Sequence, residues 1–526
     1  MSPTVDAALS PMEQEQRFGS LYTCSTVFGL PIRKSKVTSM FRRVCSVMLS
    51  IQILTSVTFA QQAKVYRPDG TPLAASAIDS VVTELMQRAH VTGTGIAIFR
   101  RGEIAYLKAY GLRDTEKALP LTPDSVMTSA SLSKSAFATV VARLVQEHTL
   151  NLDKPVVEYL PKPLPEYSRY ADLKGDDRYK KLTLRMLVSH TSGFLNWRAF
   201  EEDHRLKIHF DPGTRYGYSG EGIDLAQLVV ETVTGKSLTA LMEEQLFKPL
   251  RMERTSMVWK PEFDMDFANG YDGYGRSLGP EKRSTPDAAG SMQTTLRDYA
   301  HFLSAVQRHE ILSARMTAAM LSPQVTISSV HQFPSLSRET TDAYKEIGLG
   351  YGLGWGLYSS PYGKAFFKEG HDEGWRHLAV CFENGSGILI MTNSSNGEGM
   401  FRPLIDSLLG PTSFPFDWEG YTPYNLLPPP PKLKEHKIFS LNSEQLNRLV
   451  GRYSYPPDVM LSVAIENGHL FIQENDEPRQ EFLAESPQDF YSTTSTDECT
   501  FQPASGTAQI LILHLGDKDF ELKRLD

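Results

Sequence analysis

The stretch Thr128-Ser-Ala-Ser-Leu-Ser-Lys-Ser-Ala-Phe-Ala-Thr-Val-Val-Ala-Arg-Leu-Val-Gln-Glu147 is the segment on which the fold turns. From Leu132 onward its apolar residues Phe137, Val140, Val141, Leu144 and Val145 fall three and four apart, the spacing of one helix face. Pro123 lies upstream, and the run Ser129 to Ser133 has the composition that caps a helix start. That start carries Ser131-Leu-Ser-Lys134. Residues three apart share a helix face, so a hydroxyl and an amine point the same way at the positive end of the helix dipole. The dipole favours a developing anion and disfavours an ammonium, and both effects suit a serine nucleophile beside a neutral lysine base. Taken alone, the four residues fit an ordinary helix start as well, and only their context decides.

At 526 residues the chain is too long for one ordinary core, which predicts two domains plus appendages. Its 41% hydrophobic and 22% charged residues are those of a globular protein. A net charge of −8, without a basic patch, argues against nucleic acid as a partner. The first sixty residues do not read as fold. Met40-Phe-Arg-Arg43, an apolar run from Val44 to Phe59 and Thr58-Phe-Ala60 make up the three regions of an export signal. Translation is expected to begin at Met40, with residues 1–39 a disordered leader or a mis-assigned start and residues 40–60 the signal peptide. The mature protein is then periplasmic or secreted. Left uncleaved, the same run would act as an amphipathic membrane anchor. Cys24 and Cys45 fall in the leader, and Cys381 and Cys499 fall in different domains, so no disulfide framework is expected. No His, Cys, Asp and Glu cluster has metal-ligand spacing, and neither a metal nor another cofactor is expected.

Beyond the leader, Ser76 to Ala89 is an amphipathic pattern. Thr94–Arg100 and Glu103–Tyr110 form a predicted hairpin around Arg101-Gly102. Residues 150–187 are an irregular helical excursion, with helical blocks following at 222–246 and 295–308. The pattern then returns to strands at Ala365–Glu369, Trp375–Phe382 and Gly387–Thr392, before a helix near Phe401–Leu409. A sheet closed from the two ends of this domain and flanked by helices is the simplest architecture. Leu427-Pro-Pro-Pro-Pro-Lys432 marks a stiff linker, placed at 411–435. After it, a short capped helix at 442–449 and seven short alternating segments predict a small all-β barrel over 436–526.

Three signatures stand in one order: Ser131-Leu-Ser-Lys134, Pro212-Gly-Thr-Arg-Tyr-Gly-Tyr218-Ser-Gly-Glu-Gly222, and Gly370-His371-Asp-Glu-Gly-Trp375. Over residues 75–410 the chain resembles the serine hydrolases of the class C β-lactamase and penicillin-binding-protein family, whose pattern is S-x-x-K, Y-x-N and K-T-G or H-x-G. The tail resembles the small β-barrel module appended to such hydrolases. The resemblance implies an α+β fold with an antiparallel sheet, flanking helices and an all-helical insertion. It implies Ser131 as nucleophile, Lys134 and Tyr218 as the base pair, and His371 beside the serine where lactamases carry lysine. Read without the resemblance, Tyr218 is a core aromatic beside Tyr216 and His371 a strand-end histidine. An oxyanion hole needs two backbone N–H groups; Ser131 is expected to supply one and Gly374 the other. Trp197 is expected to line the pocket, and His190 to shape a loop beside it.

Two positions depart from the pattern. Gly220 replaces the asparagine of Y-x-N, and Glu373 replaces the glycine of H-x-G, so both are expected to alter the grip on substrate. The expected activity is acyl-enzyme hydrolysis of small esters, D-amino-acid amides or peptides, or β-lactams. The competing reading is a non-turnover penicillin-binding sensor or scaffold that keeps the fold.

Overall fold

A computed structural model of the chain describes residues 65–427, 434, 436–455, 459–474, 479–493, 497–515 and 518–525. The expected leader and signal at residues 1–60 and the prolines at 428–431 lie outside the described residues. Among the described residues no helix is long and apolar enough to cross a membrane.

Nine strands form one antiparallel sheet. In chain order they are β1 (Gly93–Arg100), β2 (Glu103–Asp114), β3 (Leu119–Pro120), β4 (Val325–Thr326), β5 (Gly350–Tyr351), β6 (Gly356–Ser360), β7 (Gly363–Asp372), β8 (Trp375–Phe382) and β9 (Gly387–Thr392). Their order across the sheet is β4-β5-β6-β7-β8-β9-β1-β2-β3, so β9 pairs with β1 and joins the two ends of the domain. The β1–β2 turn, Arg101-Gly102, takes positive φ at both residues (54° and 77°), the conformation that matches the twist of paired strands.

The central strands are apolar on both faces because both faces are covered. Ala97, Phe99, Ala379, Cys381, Leu389 and Met391 pack toward helices α2 (Leu132–Gln146) and α4 (Leu296–Gln307). Their neighbours Ile96, Ile98, Leu378, Val380, Ile388 and Ile390 pack toward α1 (Ala75–Ala89) and α5 (Phe401–Leu408). The period of two in each strand therefore sorts one run of residues into two cores. The helical insertion, with α3 (Gly220–Thr234) as its longest element, joins the first of these cores. Between 150 and 183 the helical structure is four short 3₁₀ segments joined by turns, as the proline and charge content predicts.

The expected linker begins later than 411. Phe414, Phe416, Trp418 and Tyr421 are buried with the α1–α5 face of the sheet, so the segment from 411 to 421 is core. Its apolar aromatics outweigh the prolines around them. Past the linker, a helix at Ser443–Asn447 opens with Asn442 and Gln445 in a reciprocal capping box. Eight strands then close into a barrel: β10 (Gly451–Tyr455), β11 (Val459–Glu466), β12 (His469–Glu474), β13 (Gln480–Ala484), β14 (Asp489–Ser492), β15 (Glu498–Gln502), β16 (Ile510–Leu515) and β17 (Lys518–Arg524). The barrel has its own core, centred on Tyr453, Phe490, Phe501 and Leu511. Cys381 and Cys499 are buried free thiols.

Candidate active site

The chain enters the site through a two-residue ladder, Met127–Thr128 against Gln293–Thr294. Ala130 follows with φ 47°, a left-handed turn that side chains seldom adopt and that strained functional backbones retain. It swings the chain from strand into α2, and Ser131 becomes the residue before the helix. Ser131 does not cap the helix with its side chain, contrary to the composition-based expectation. Its hydroxyl instead accepts from Lys134 Nζ at 2.9 Å. Lys134 Nζ also donates to the Ala289 carbonyl at 2.6 Å. Lys134 is 1% exposed. Burial, with the nearby Lys368 second, pulls its pKa down to about 8, within reach of a base at neutral pH.

Tyr218 reaches the same point from the segment before α3, and Lys134 Nζ lies 5.2 Å from its ring centroid. Burial and the Glu369 carboxylate push its pKa well up, so it stands as a phenol. Its hydroxyl accepts from Lys368 Nζ at 3.1 Å. Lys368 is fully buried, and it also donates to Glu369 Oε1 at 2.5 Å and to the Glu369 carbonyl at 3.2 Å. This corrects the expectation that the third motif had lost its lysine. Lys368-Glu-Gly370 is itself a K-x-G run, and Lys368, not His371, sits against Tyr218. Gly370 explains the spacing: a Cβ there would stand 2.7 Å from the Ser129 carbonyl, so the strand can pass the nucleophile only with glycine. His371 does line the cleft, with Nε2 bonded to the Tyr421 hydroxyl at 3.1 Å.

Gly374 is not the second oxyanion donor. Its N–H is spent on Ser395 Oγ at 2.8 Å, at the β7–β8 turn. The open edge of β7 offers a better donor. The Lys364 carbonyl accepts from Glu383 N, on the β8 side, so the even-numbered residues of β7 bond toward β8 and Glu369 and His371 face the other way. On that side β6 ends opposite Phe367. The His371 N–H therefore faces the cleft. The Ser131 N–H stands at a helix start, where such groups have no intrahelical partner. Gly374→Ala tests the reassignment. A Cβ there meets Gly270 Cα at 2.9 Å, and φ is 78°. The variant is expected to lose about 2 kcal/mol in denaturant unfolding while its folded fraction acylates at the wild-type rate. An acylation defect in the folded fraction would restore Gly374 to the hole.

The two departures from the motif read differently in three dimensions. A Cβ on Gly220 would fall 2.3 Å from the Trp197 ring, so the indole occupies the space an asparagine would need. Trp197 lines the cleft, with its ring 5.6 Å from Lys134 Nζ, while Gly220 lies beneath it. An asparagine is nevertheless present. Asn196 lines the cleft and accepts the Gly220 N–H on Oδ1 at 2.9 Å, which leaves its amide NH₂ as a donor. Glu373 does not enter the cleft. It is exposed at the tip of the β7–β8 turn, with its N–H on Asp372 Oδ1 at 2.9 Å.

Two buried histidines hold the frame. His190 packs on Tyr218 with ring centroids 4.3 Å apart, and its Nδ1 accepts the Ser219 N–H at 3.2 Å. Burial keeps it neutral by lowering its pKa well below the usual value. His377 Nδ1 accepts from the Thr392 N–H at 3.3 Å. Its Nε2–H therefore donates to the Thr128 carbonyl, 2.7 Å away, tying β8 to the residue three before Ser131. Its pKa is lowered to about 4, chiefly by burial.

The whole cleft encloses about 470 Å³. Ser131, Lys134 and Tyr218 stand in it with Trp197 and Phe333, and the barrel supplies Tyr455, Val459 and Glu474. The His204 ring meets Tyr455 edge-on at 4.3 Å, which docks the barrel on the wall. Arg198 is held in a buried bidentate pair by Glu221 (2.8 and 2.6 Å), and Arg169 bonds Asp224 at 2.6 Å. Among the described residues no three His, Cys, Asp or Glu side chains gather as a metal site.

Residues 78–408 match the family Beta-lactamase. With a match over more than half its length, the chain belongs to this family of serine hydrolases. It is 25% identical to Protein flp of Staphylococcus aureus (strain MRSA252) over 244 residues, 43% of this chain and 47% of that protein. The chain thus spans about half the length of such curated relatives. It is 26% identical to a β-lactamase of Pseudomonas fluorescens over 295 residues, 54% of this chain and 74% of that one. In fold it is similar to the octameric penicillin-binding protein homologue from Pyrococcus abyssi, with TM-score 0.52 and 20% identity over 86% of this chain and 100% of the other. The D-amino acid amidase of Ochrobactrum anthropi SV3 aligns with TM-score 0.50 and 22% identity over 64% of this chain and 96% of its own.

Proposed function

We propose that the protein hydrolyses small amides and esters of D-amino acids through an acyl-enzyme on Ser131. The observation that carries this is the buried Lys134 amine 2.9 Å from the Ser131 hydroxyl. In the neutral form Lys134 takes the hydroxyl proton as Ser131 Oγ attacks the substrate carbonyl. The N–H groups of Ser131 and His371 receive the developing oxyanion. The Tyr218 phenol, held between the two lysines, protonates the leaving group and is restored by the proton that Lys134 took from Ser131, and water then releases the acyl group by the reverse path.

The substrate class rests on the cleft wall. Three arginines line the cleft, Arg169, Arg198 and Arg283, and each is paired to carboxylates, Arg283 to Glu281 and Asp372, while Asp287 and Glu474 also line it. That wall suits a free substrate amine better than a free carboxylate. The D-amino acid amidase similar in fold supports the same choice, and Trp197 and Phe333 offer apolar surface to a side chain.

A fluorophosphonate probe with mass mapping, followed by burst kinetics on D-alanine p-nitroanilide, a p-nitrophenyl ester and a chromogenic cephalosporin, tests the reading. A label on Ser131 with steady turnover of the anilide is expected. A stoichiometric β-lactam adduct without turnover of any substrate would replace the hydrolase by a sensor. A label on any other residue would overturn the nucleophile.

A further inference from the structure

Behind Tyr218 lies a second polar cluster that the mechanism above does not use. Glu419 is 6% exposed, and neither of its carboxyl oxygens has a hydrogen-bond partner among the described residues. Glu369 Oε2 and the hydroxyls of Tyr216 and Tyr351 are equally unpartnered and buried. The cluster is closed by tilted aromatic rings: Tyr216 lies 5.3 Å from Tyr351 and 5.8 Å from Trp418, centroid to centroid. Buried polar groups are satisfied almost without exception, by protein or by ordered water. So many orphans around one carboxyl mark a site whose hydrogen bonds run through a proton or a water.

The charges narrow the choice. Lys368 is the cation here, and at 2.5 Å it belongs to Glu369. A second ionised carboxylate in the same enclosure would have no cation of its own, an arrangement that buried charges do not sustain. Of the groups that act on Glu419, Glu369 on β7 and Glu398 before α5 oppose its charge, whereas Lys368 on β7 and Tyr421 on its own segment favour it. The Tyr421 hydroxyl is itself bonded to His371 Nε2 at 3.1 Å. Tyr216 and Tyr351, both pushed well above the usual phenol range by burial, face it as neutral groups. Burial and Glu369 likewise push Glu419 well above the usual carboxylate range.

We propose that Glu419 and Glu369 act as one proton-sharing pair, directly or through a bound water, presenting a single negative charge that holds Lys368 against Tyr218. Glu419 is then a positioning residue. It touches no substrate, and it acts on Tyr218 through Glu369 and Lys368. Loss of the shared proton at alkaline pH adds a second charge to the enclosure, draws Lys368 away from the phenol and slows acylation. Glutamine at 419 keeps the hydrogen bond but fixes the charge at every pH.

The proposal concerns the same site as the proposed hydrolase, so its kinetic arm rests on that reading and its spectroscopic arm does not. Infrared difference spectra of the full chain at neutral pH are expected to show a protonated carboxyl band that Glu419→Gln removes and Glu419→Asp restores. The pH profile of fluorophosphonate labelling at Ser131 is expected to shift its alkaline limb by about one pH unit or more in Glu419→Gln, and to return in Glu419→Asp. A wild-type protein without the band overturns the pair, whether or not the variants fold. Superimposable alkaline limbs in wild type and Glu419→Gln overturn its action on Lys368. Failure to label Ser131 in the wild type overturns the hydrolase reading and leaves the band to be judged alone.

Discussion

Replacing Ser131 by alanine is expected to abolish acyl-enzyme formation and to lower turnover by at least about 10⁴-fold. Neither neighbouring serine can take over. Ser129 and Ser133 bond to each other at 3.1 Å, and Ser133 also donates to the Ala130 carbonyl, so both are turned away from Lys134. Because Ser131 does not cap α2 with its side chain, the variant keeps its fold, and its thermal midpoint is expected within about 2 °C of the wild type. Intact-mass measurement after probe treatment reads the first effect and calorimetry the second. Retention of more than a tenth of the turnover would place the nucleophile elsewhere.

Lys134→Met has the next largest effect, and it runs in opposite directions for activity and stability. With a pKa of about 8, Lys134 is neutral in about a tenth of molecules at pH 7. The wild-type acylation rate should therefore climb about tenfold per unit below pH 8 and stop climbing above it, before the alkaline limb set by the Glu419–Glu369 pair. The methionine variant is expected to lose about 10³-fold and to show no such limb. Stability follows from the same shift. The folded state binds this proton less tightly than the unfolded chain does, so the lysine costs the fold about 3 kcal/mol below pH 8. That cost fades as pH rises toward the ordinary lysine value and is gone above it. Methionine removes the cost but leaves the Ala289 carbonyl without its donor, for a net gain of about 1–2 kcal/mol at pH 7. Urea unfolding at pH 7 and pH 10.5 reads the difference. A variant less stable than wild type at pH 7, or a wild-type acylation rate flat between pH 6 and pH 8, would remove Lys134 from the role of base.

Much of this architecture is legible in the residues themselves. Trp375–Phe382 and Gly387–Thr392 are strands at the bounds their apolar runs predict, because a strand buried on both faces is apolar throughout. The α2 periodicity follows from local chemistry alone, as does the turn between β11 and β12, where Asn467 and Gly468 both take positive φ (52° and 84°). Lys368 is different. It falls in the run Ala365–Glu369, which reads only as a strand, and its burial against Tyr218 depends on the segment before α3 arriving from 150 residues away. The K-x-G run beside Gly370 was the signal that could have found it. Gly374, expected as an oxyanion donor, instead sits where the chain packs closely on Gly270, whose Cα a Cβ there would meet at 2.9 Å. The proline run Leu427–Lys432 suggested a linker reaching back to 411, and only the aromatic content of 414–421 argued for core. Asn196 has no periodicity to expose it, and the burial of Glu419 is set wholly by what packs over it.

The barrel that lends Tyr455, Val459 and Glu474 to the cleft is stabilised by a core separate from the one beneath Ser131. Reactivity and selectivity are thus carried by two frameworks that can change independently. Substitutions along the barrel rim can widen, narrow or recharge the entrance without disturbing the alignment of hydroxyl and amine. The nucleophile can persist unchanged while the range of acceptable molecules drifts.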